Sequence, residues 1–192
     1  GSWIGMDTRF TKIVPDFNFG TKRPGTEQPD GSSVSHYLTQ VVKTGNNGYQ
    51  KCNSEVMNIL RKLNSYPNTN AAANPRQIPF LSPKISAGTN AAGVGPDGVY
   101  RDPWGHPYII TLDGDFDDKC RDGFYRNASV SQDPTSSNPD RGLKNLSRVA
   151  GSKNNFEVSV RAMIWSFGPD GKIDVGVKAN AGVNKDNILS WE

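Results

Sequence analysis

Two stretches of the N-terminal third place apolar side chains at helical spacing. The first stripe contains Val34, Tyr37, Leu38, Val41 and Val42, and Gly45 ends it. The second stripe contains Cys52, Val56, Ile59, Leu60 and Leu63. It begins near Asn53, which is an N-cap residue type, and Pro67 prevents its continuation. The pattern therefore predicts two amphipathic helices, each with one buried face.

Strand patterns dominate the rest of the chain. Tyr108–Leu112 is a run of β-branched and aromatic residues that predicts a buried strand, and a shorter strand is expected near Val99 and Tyr100. From Phe156 to Ile164, apolar and polar residues alternate with a period of two, and from Met163 to Phe167 both faces become apolar. Helices followed by strands predict an α+β fold, with N-terminal helices packed on an antiparallel β-sheet.

The length is typical of one domain, so we expect residues 1–192 to form a single globular unit. Residues 113–155 are polar and rich in turn-forming residues, which predicts a long loop excursion. Gly1 and Ser2 are typical of a cloning scar.

Charge and composition argue against nucleic-acid binding and against a membrane-spanning helix within this sequence. The net charge is +3 and the basic residues are scattered, so we expect no nucleic-acid binding. No apolar run approaches the ~18 residues that a membrane-spanning helix needs, so this sequence predicts no span of its own.

Two short phrases in the strand region combine stiff and permissive residues. Asp102-Pro103-Trp104-Gly105-His106-Pro107-Tyr108 predicts a structural turn feeding a strand, because proline fixes its own φ and glycine permits a tight reversal. The turn proper is Asp102, Pro103, Trp104 and Gly105. The second phrase, Ile164-Trp165-Ser166-Phe167-Gly168-Pro169-Asp170-Gly171-Lys172, predicts a strand that runs into a turn.

These two phrases, together with Asn187-Ile188-Leu189-Ser190-Trp191 near the C-terminus, resemble the globular domain of type II secretion major pseudopilins and related type IV pilin-like proteins. In that family a DPWG-x-PY segment opens one strand and an S-x-G-x-DGK segment closes another. The resemblance covers about a third of the chain, and a shared fold does not by itself fix a function.

The resemblance implies a non-enzymatic structural subunit of a pseudopilus or pilus-like filament in the bacterial periplasm or at the cell surface. Its partners would be other pilin or pseudopilin subunits and the secretion apparatus. Membrane attachment would come only through an N-terminal hydrophobic helix that this sequence does not include. Without that helix we expect a monomer or a weak dimer. A secreted surface module that binds host glycan or protein remains the alternative.

Catalytic motifs are missing from the sequence. His36 and His106 lack a motif partner, and there is no H-E-x-x-H, G-x-S-x-G, P-loop or C-x-x-C pattern. The sequence therefore predicts a protein that is not an enzyme.

The C-terminal loop is the strongest candidate for a metal site. Asp170, Asp174, Asp186 and Asn187 lie within it, and calcium prefers several carboxylate and carbonyl oxygens. The pseudopilin resemblance also implies calcium here, with Asp170 in the first ligand position and Asn187, preceded by Asp186, in a later one. Alternatively, Asp170 is only a turn residue bonded to its own backbone.

A second acidic run imitates the start of an EF-hand loop. Asp113, Asp115 and Asp117 take positions 1, 3 and 5, but Asp118 stands where glycine is needed and Phe124 where glutamate is needed. This mismatch favours a solvated strand exit, with a weak cation site as the alternative.

The chain has two cysteines, Cys52 and Cys120. Such a pair in an exported protein usually forms a disulfide, so we expect Cys52 and Cys120 to be bridged under oxidising conditions; in a reducing compartment the two thiols would stay separate.

Overall fold

The structure, a computed structural model, describes residues 16–26, 28 and 49–192. The first predicted helix, from Val34 to Val42, lies outside these residues, as do Gly1 and Ser2.

A five-stranded sheet forms the centre of the described part of the chain. The strands, in chain order, are β1 (Phe17–Phe19), β2 (Tyr49–Lys51), β3 (Gly93–Val94), β4 (Tyr100–Arg101), β5 (Ile109–Leu112), β6 (Ser147–Arg148), β7 (Phe156–Glu157), β8 (Ala162–Ser166) and β9 (Ile188–Leu189). The central sheet has the order β2-β1-β5-β8-β9, and β3-β4 and β6-β7 form separate two-stranded sheets. Only the β1–β2 pair in the central sheet is parallel.

Helix is sparse among the described residues. The structure has α1 (Ser54–Leu60), α2 (Ala128–Ser131) and short 3₁₀ turns at Thr69–Ala71 and Gly182–Asn184. The prediction of N-terminal helices packed on an antiparallel sheet is therefore wrong, because the described residues form mostly sheet and turns.

The backbone explains why α1 stops before Leu63. Lys62 adopts a positive φ of 61°, and its amide donates to the Ile59 carbonyl at 3.2 Å. The Leu63 amide donates to the Asn58 carbonyl at 2.9 Å. These two bonds form a Schellman cap, which satisfies the last helical carbonyls and reverses the chain. The sequence does not indicate this helix end, because the left-handed residue after a helix is usually glycine and here it is Lys62.

The predicted continuous strand from Phe156 to Ile164 is broken in two. β7 ends at Glu157, Val158 forms an isolated bridge with Cys120, and β8 begins at Ala162. The following strand agrees with the pattern: Trp165 pairs with Ile109, and β5 and β8 are the antiparallel centre of the sheet.

The main core covers one face of this centre. Trp165 is 1% exposed and contacts three aromatic rings, with centroid distances of 6.0 Å to Phe124, 5.3 Å to Tyr125 and 5.0 Å to Phe167. Residues 113–155 supply two of these rings and also contain α2 and β6. Part of this polar segment is therefore packed into the core.

The opposite face carries a smaller cluster. Val56 of α1 packs with Phe19 of β1 and Ile110 of β5. Burying apolar surface on both faces stabilises the sheet, with each fully buried side chain contributing about 1.5–3 kcal/mol. The polar groups described below lie at the ends of the central strands, outside these two apolar clusters.

Candidate functional site

Both motif phrases converge on the Asp102 carboxylate. Asp102 is fully buried. Its Oδ1 accepts hydrogen bonds from the Trp104 amide at 2.9 Å and the His106 amide at 2.8 Å. Its own amide donates to the His106 carbonyl at 2.9 Å. The carboxylate therefore closes the turn that contains Pro103 and Gly105.

The second carboxylate oxygen reaches the other phrase. The Ser166 hydroxyl donates to Asp102 Oδ2 and accepts from the Gly168 amide at 3.1 Å. Ser166 is the last residue of β8, so Asp102 joins the first turn to the start of the second. Hydrogen bonds to a charged group are worth about 1.5–3 kcal/mol each, more than neutral ones.

The tip of this turn faces solvent. Pro103 and Trp104 are exposed, with 44% of Trp104 accessible. Gly105 has a φ of +89°, and a Cβ there would lie 2.5 Å from the Asn90 carbonyl oxygen. Glycine is therefore required by both the backbone conformation and the close approach of Asn90.

Ser166, Asp102 and His106 are the residue types of a hydrolase triad, but their geometry differs from one. His106 Nδ1 lies 3.5 Å from Asp102 Oδ2 and has no hydrogen-bond partner among the described residues. The serine hydroxyl donates to the carboxylate, and Ser166 is 1% exposed. An activated nucleophile needs a hydrogen bond to its base, so this arrangement supports a structural role.

Two of the predicted calcium ligands are engaged in their own turns. Asp170 Oδ1 accepts from the Lys172 amide at 2.8 Å, and Asp174 Oδ1 accepts from the Gly176 amide at 2.8 Å. Both residues are exposed. These are bonds from a side chain to the backbone two residues ahead, as in Asx-turns.

Of the other two predicted ligands, Asp186 is half-buried and Asn187 is buried. Asp186 Oδ1 and Asn187 Oδ1 are buried oxygens without a hydrogen-bond partner. Asn187 is 5% exposed, and its Nδ2 donates to the Tyr125 hydroxyl at 2.8 Å. A Cβ on Gly168 would lie 2.3 Å from the Asp186 carbonyl oxygen, so the S-x-G turn packs directly on this pair. Buried oxygens without partners are costly and call for an explanation.

The compact carboxylate cluster that the structure shows elsewhere contains Asp16, Asp113 and Asp115. One oxygen from each lies within 4.8 Å of the others, so the three could hold a metal ion. Strand pairing brings them together: Phe17 pairs with Leu112 in antiparallel β1 and β5, so Asp16 and Asp113 leave the same end of the sheet. Sequence reasoning selected Asp113 and Asp115 but missed Asp16, because no local spacing connects it to them.

Burial governs the charges in this cluster. Burial raises the pKa of Asp16 to about 7, although the Arg121 amide donates to it at 2.7 Å and the Gly114 amide at 3.2 Å. Burial also raises the pKa of Asp113. Burial acts in the same direction on Asp115, but its hydrogen bond with Arg121 prevails and lowers that pKa.

Arg121 provides a resident positive charge beside the cluster. Its Nη2 lies 2.8 Å from Asp115 Oδ2, its Nε lies 3.6 Å from Glu157 Oε2, and its side chain is 2% exposed. A metal ion at the cluster would share Asp115 with this guanidinium.

The predicted disulfide is absent from the structure: Cys52 and Cys120 are both buried thiols that are not bridged. Cys52 Sγ accepts from the Ser54 hydroxyl at 3.0 Å, whereas Cys120 Sγ donates to the Thr111 carbonyl at 3.3 Å. Lys119 and Arg121 flank Cys120 in the sequence and would favour a thiolate, but burial raises the pKa of the Cys120 thiol and opposes this.

Comparisons with protein-family models, with curated proteins and with solved structures give no match to this chain. Within the described ranges, every helix is too short or too polar to serve as a membrane span.

The pKa of Asp16 predicts a pH-dependent stability. Its pKa is about 7 in the folded protein and 3.8 ordinarily, so the folded state retains a proton that the unfolded chain has lost. The free energy of unfolding should therefore fall as the pH rises from about 4 to about 8, by up to about 4 kcal/mol from this group. Asp113 acts in the same direction and Asp115 in the opposite one.

Urea unfolding at several pH values measures this effect. Asp16→Asn should make the free energy of unfolding depend less on pH. Asp140→Asn, which changes an exposed carboxylate, should leave that pH dependence unchanged. Identical pH profiles for the parent protein and Asp16→Asn would contradict the prediction.

The junction at Asp102 predicts strong coupling between the two motifs. Ser166→Ala should lower the free energy of unfolding by about 1.5–3 kcal/mol, because it removes the buried hydrogen bond from the Ser166 hydroxyl to the Asp102 carboxylate. Asp102→Ala should cost more, because it leaves two amides and a hydroxyl unpaired. The double variant should lose less free energy of unfolding than the sum of the two single losses, by about 1 kcal/mol or more.

Chemical denaturation of the four proteins measures this coupling. Ser190→Ala removes an exposed hydroxyl at the sheet edge and serves as the control, with a loss under about 1 kcal/mol. Strictly additive losses for Asp102 and Ser166 would show that the two motifs are independent.

Proposed function

We propose that this chain is the globular domain of a structural subunit of a type II secretion pseudopilus or a type IV pilus-like filament in the bacterial envelope. The observation that carries the proposal is the Asp102–Ser166 junction. It explains why the DPWG and S-x-G phrases occur together, since each supplies one half of a buried hydrogen-bonded unit. The role is non-enzymatic.

The C-terminal ending adds support. β9 pairs with β8 through Trp165 and Leu189, which places the Ile-x-x-Trp ending against the motif strand. Trp191 is 9% exposed, contacts the Tyr125 ring at 5.3 Å and donates to the Lys144 carbonyl at 3.1 Å. The third block of the resemblance therefore completes the same core face as the second.

In this proposal the domain is displayed in the periplasm or at the cell surface. A hydrophobic helix upstream anchors the subunit in the inner membrane and later packs in the filament core. The partners are other pilin or pseudopilin subunits and the secretion apparatus. The globular domain alone is a monomer or weak dimer in dilute solution.

Cell fractionation with the native upstream sequence restored tests the anchored subunit. The restored protein should sediment with membranes and require detergent for release, and its leader should end in glycine before a hydrophobic helix with glutamate at the fifth mature position. The 192-residue chain alone is the control and should remain in the soluble fraction. A restored protein that is wholly soluble would contradict the proposal and favour a secreted binding module.

We also propose that calcium is the ion bound by the domain, at the C-terminal loop. The support is two buried oxygens without partners on consecutive residues, Asp186 Oδ1 and Asn187 Oδ1. Side-chain carboxylate and amide oxygens are both ligands that calcium accepts. Asp170 and Asp174 would join only if their turns rearranged, because each oxygen now accepts a backbone amide.

Thermal melting with and without calcium tests this site. Calcium that binds only the folded loop raises the free energy of unfolding by about 2.7 kcal/mol when its concentration is a hundred times Kd. For a chain of this size that raises the melting temperature by roughly 5–11 °C. Asp186→Asn should abolish the shift, whereas Asp113→Asn, in the other acidic cluster, should preserve it. The reverse result would move the ion to the Asp16 cluster. No shift in the parent protein would refute calcium binding.

A further inference from the structure

A pocket of about 280 Å³ opens just after the C-terminal end of α1. Its polar lining comes from Lys62, Asn64, Asn68, Asn70 and Gln77. We call it the amide pocket, because all of these side chains except that of Lys62 end in a carboxamide. Its volume is close to the lower limit of about 300 Å³ for ligand pockets, so it suits one small chemical unit rather than a long segment.

Two buried asparagines hold the backbone of the amide pocket in place. Asn68 Oδ1 accepts hydrogen bonds from the Ala73 amide at 3.2 Å and the Asn74 amide at 2.8 Å, and its Nδ2 donates to the Leu63 carbonyl at 3.0 Å. Asn74 Nδ2 donates to the Ile78 carbonyl at 2.8 Å. Because these side chains replace missing backbone hydrogen bonds, the pocket keeps one shape without a regular helix or strand around it.

The backbone of the amide pocket is strained at four residues that are not glycine. Lys62, Asn70, Ala71 and Gln77 adopt positive φ angles of 61°, 54°, 60° and 50°. The described ranges contain eight such residues, and these four all line this one pocket. A left-handed backbone costs free energy for every residue with a Cβ, and the cost is smallest for asparagine. Strain of this kind clusters at ligand-binding segments, so it points to a function for the pocket.

The exposed polar groups of the amide pocket are not used by the fold. Asn64 Oδ1 accepts from the Asn70 amide at 2.8 Å. Asn64 Nδ2 and the side chains of Asn70 and Gln77 make no hydrogen bond to the part of the chain that the structure describes, and Lys62 Nζ forms no ion pair there. All four side chains are exposed. A ligand can therefore bind them without breaking bonds within the protein, on a backbone that is already in place.

The chemistry of the lining selects the class of ligand. A carboxamide offers both a donor NH₂ group and an acceptor oxygen, so several amides match neighbouring hydroxyls that each donate and accept. The described lining has no carboxylate for a metal ion and no aromatic ring for a nucleobase. Its one charged residue is Lys62, and the partial negative charge at the C-terminal end of α1 offsets that charge in part. A neutral polyhydroxylated ligand therefore fits better than a phosphate or a sugar acid.

We propose that the amide pocket binds one neutral hexose unit of a glycan. The side chains of Asn64, Asn70 and Gln77 hydrogen-bond the ring hydroxyls, and the Lys62 ammonium donates to a further hydroxyl. Leu63, an apolar residue of the lining, contacts the C–H face of the sugar ring. This inference goes beyond the proposed filament subunit and does not depend on it. In a filament, each copy of the domain would present one such site.

NMR titration of the isotope-labelled chain with methyl glycosides tests the site. The probes are the methyl glycosides of glucose, galactose, mannose and N-acetylglucosamine. At least one should bind with a Kd on the order of 1 mM, which is the strength that a ligand of about a dozen heavy atoms reaches. Binding should shift the side-chain amide signals of Asn64, Asn70 and Gln77. The signal of Asn145, an exposed asparagine outside the pocket, should not move.

Glycine substitutions separate sugar binding from folding. Glycine adopts a positive φ without strain, so Lys62→Gly, Asn70→Gly and Gln77→Gly should melt within a few degrees of the parent protein. Each should weaken sugar binding about threefold or more, and Asn70→Gly combined with Gln77→Gly about tenfold or more. Lys144→Gly and Asn145→Gly change left-handed residues of the same types outside the pocket. They are the matched controls and should bind the sugar as the parent does.

Several results would overturn the inference. They are no binding of any of the four probes, signal shifts only at residues outside the pocket, and equal binding by the parent and the double glycine variant. If a glycine variant does not fold, the signal shifts in the parent protein still decide. Methyl glucuronide tests the charge, because tighter binding than methyl glucoside would refute a neutral sugar. The filament proposal is tested separately, since cell fractionation does not depend on this pocket.

Discussion

The buried Asp102 carboxylate is the interaction on which the arrangement of this domain depends. A carboxyl group buried away from water is tolerable only when its oxygens receive hydrogen bonds, and the donors to Asp102 are two backbone amides and the Ser166 hydroxyl. These donors come from a turn and from the end of a strand 64 residues away. The carboxylate therefore specifies a tertiary contact as well as a local turn, and it fixes how the two motif segments meet.

Sequence patterning predicted the parts of this domain in which local signals agree with tertiary packing. β5 and β8 contain apolar and β-branched residues on both faces, and they are the antiparallel centre of the sheet. The second predicted helix is present as α1 but ends earlier than its apolar stripe suggests, because Lys62 adopts a left-handed conformation and caps it without the usual glycine. The strand from Phe156 to Ile164 was overextended because the period of two continues through residues 159–161, where the chain bends.

The candidate sites show the same limit. Asp186 and Asn187 could be selected from their oxygen-rich loop, but only the structure shows that their oxygens are buried without partners, while those of Asp170 and Asp174 are used by their own turns. Asp16 could not be selected at all. It meets Asp113 through the pairing of two strands that are distant in the sequence, and no spacing rule reports such a pairing.

The buried position of Asp16 has a consequence for any cation that reaches the acidic cluster. Because burial keeps a proton on this carboxylate up to a pH of about 7, an incoming ion must first displace that proton. Binding at Asp16, Asp113 and Asp115 is then an exchange of one cation for another, and its affinity increases as the medium becomes more alkaline. At a fixed concentration of the ion, occupancy of the cluster would therefore decrease as the medium becomes more acidic.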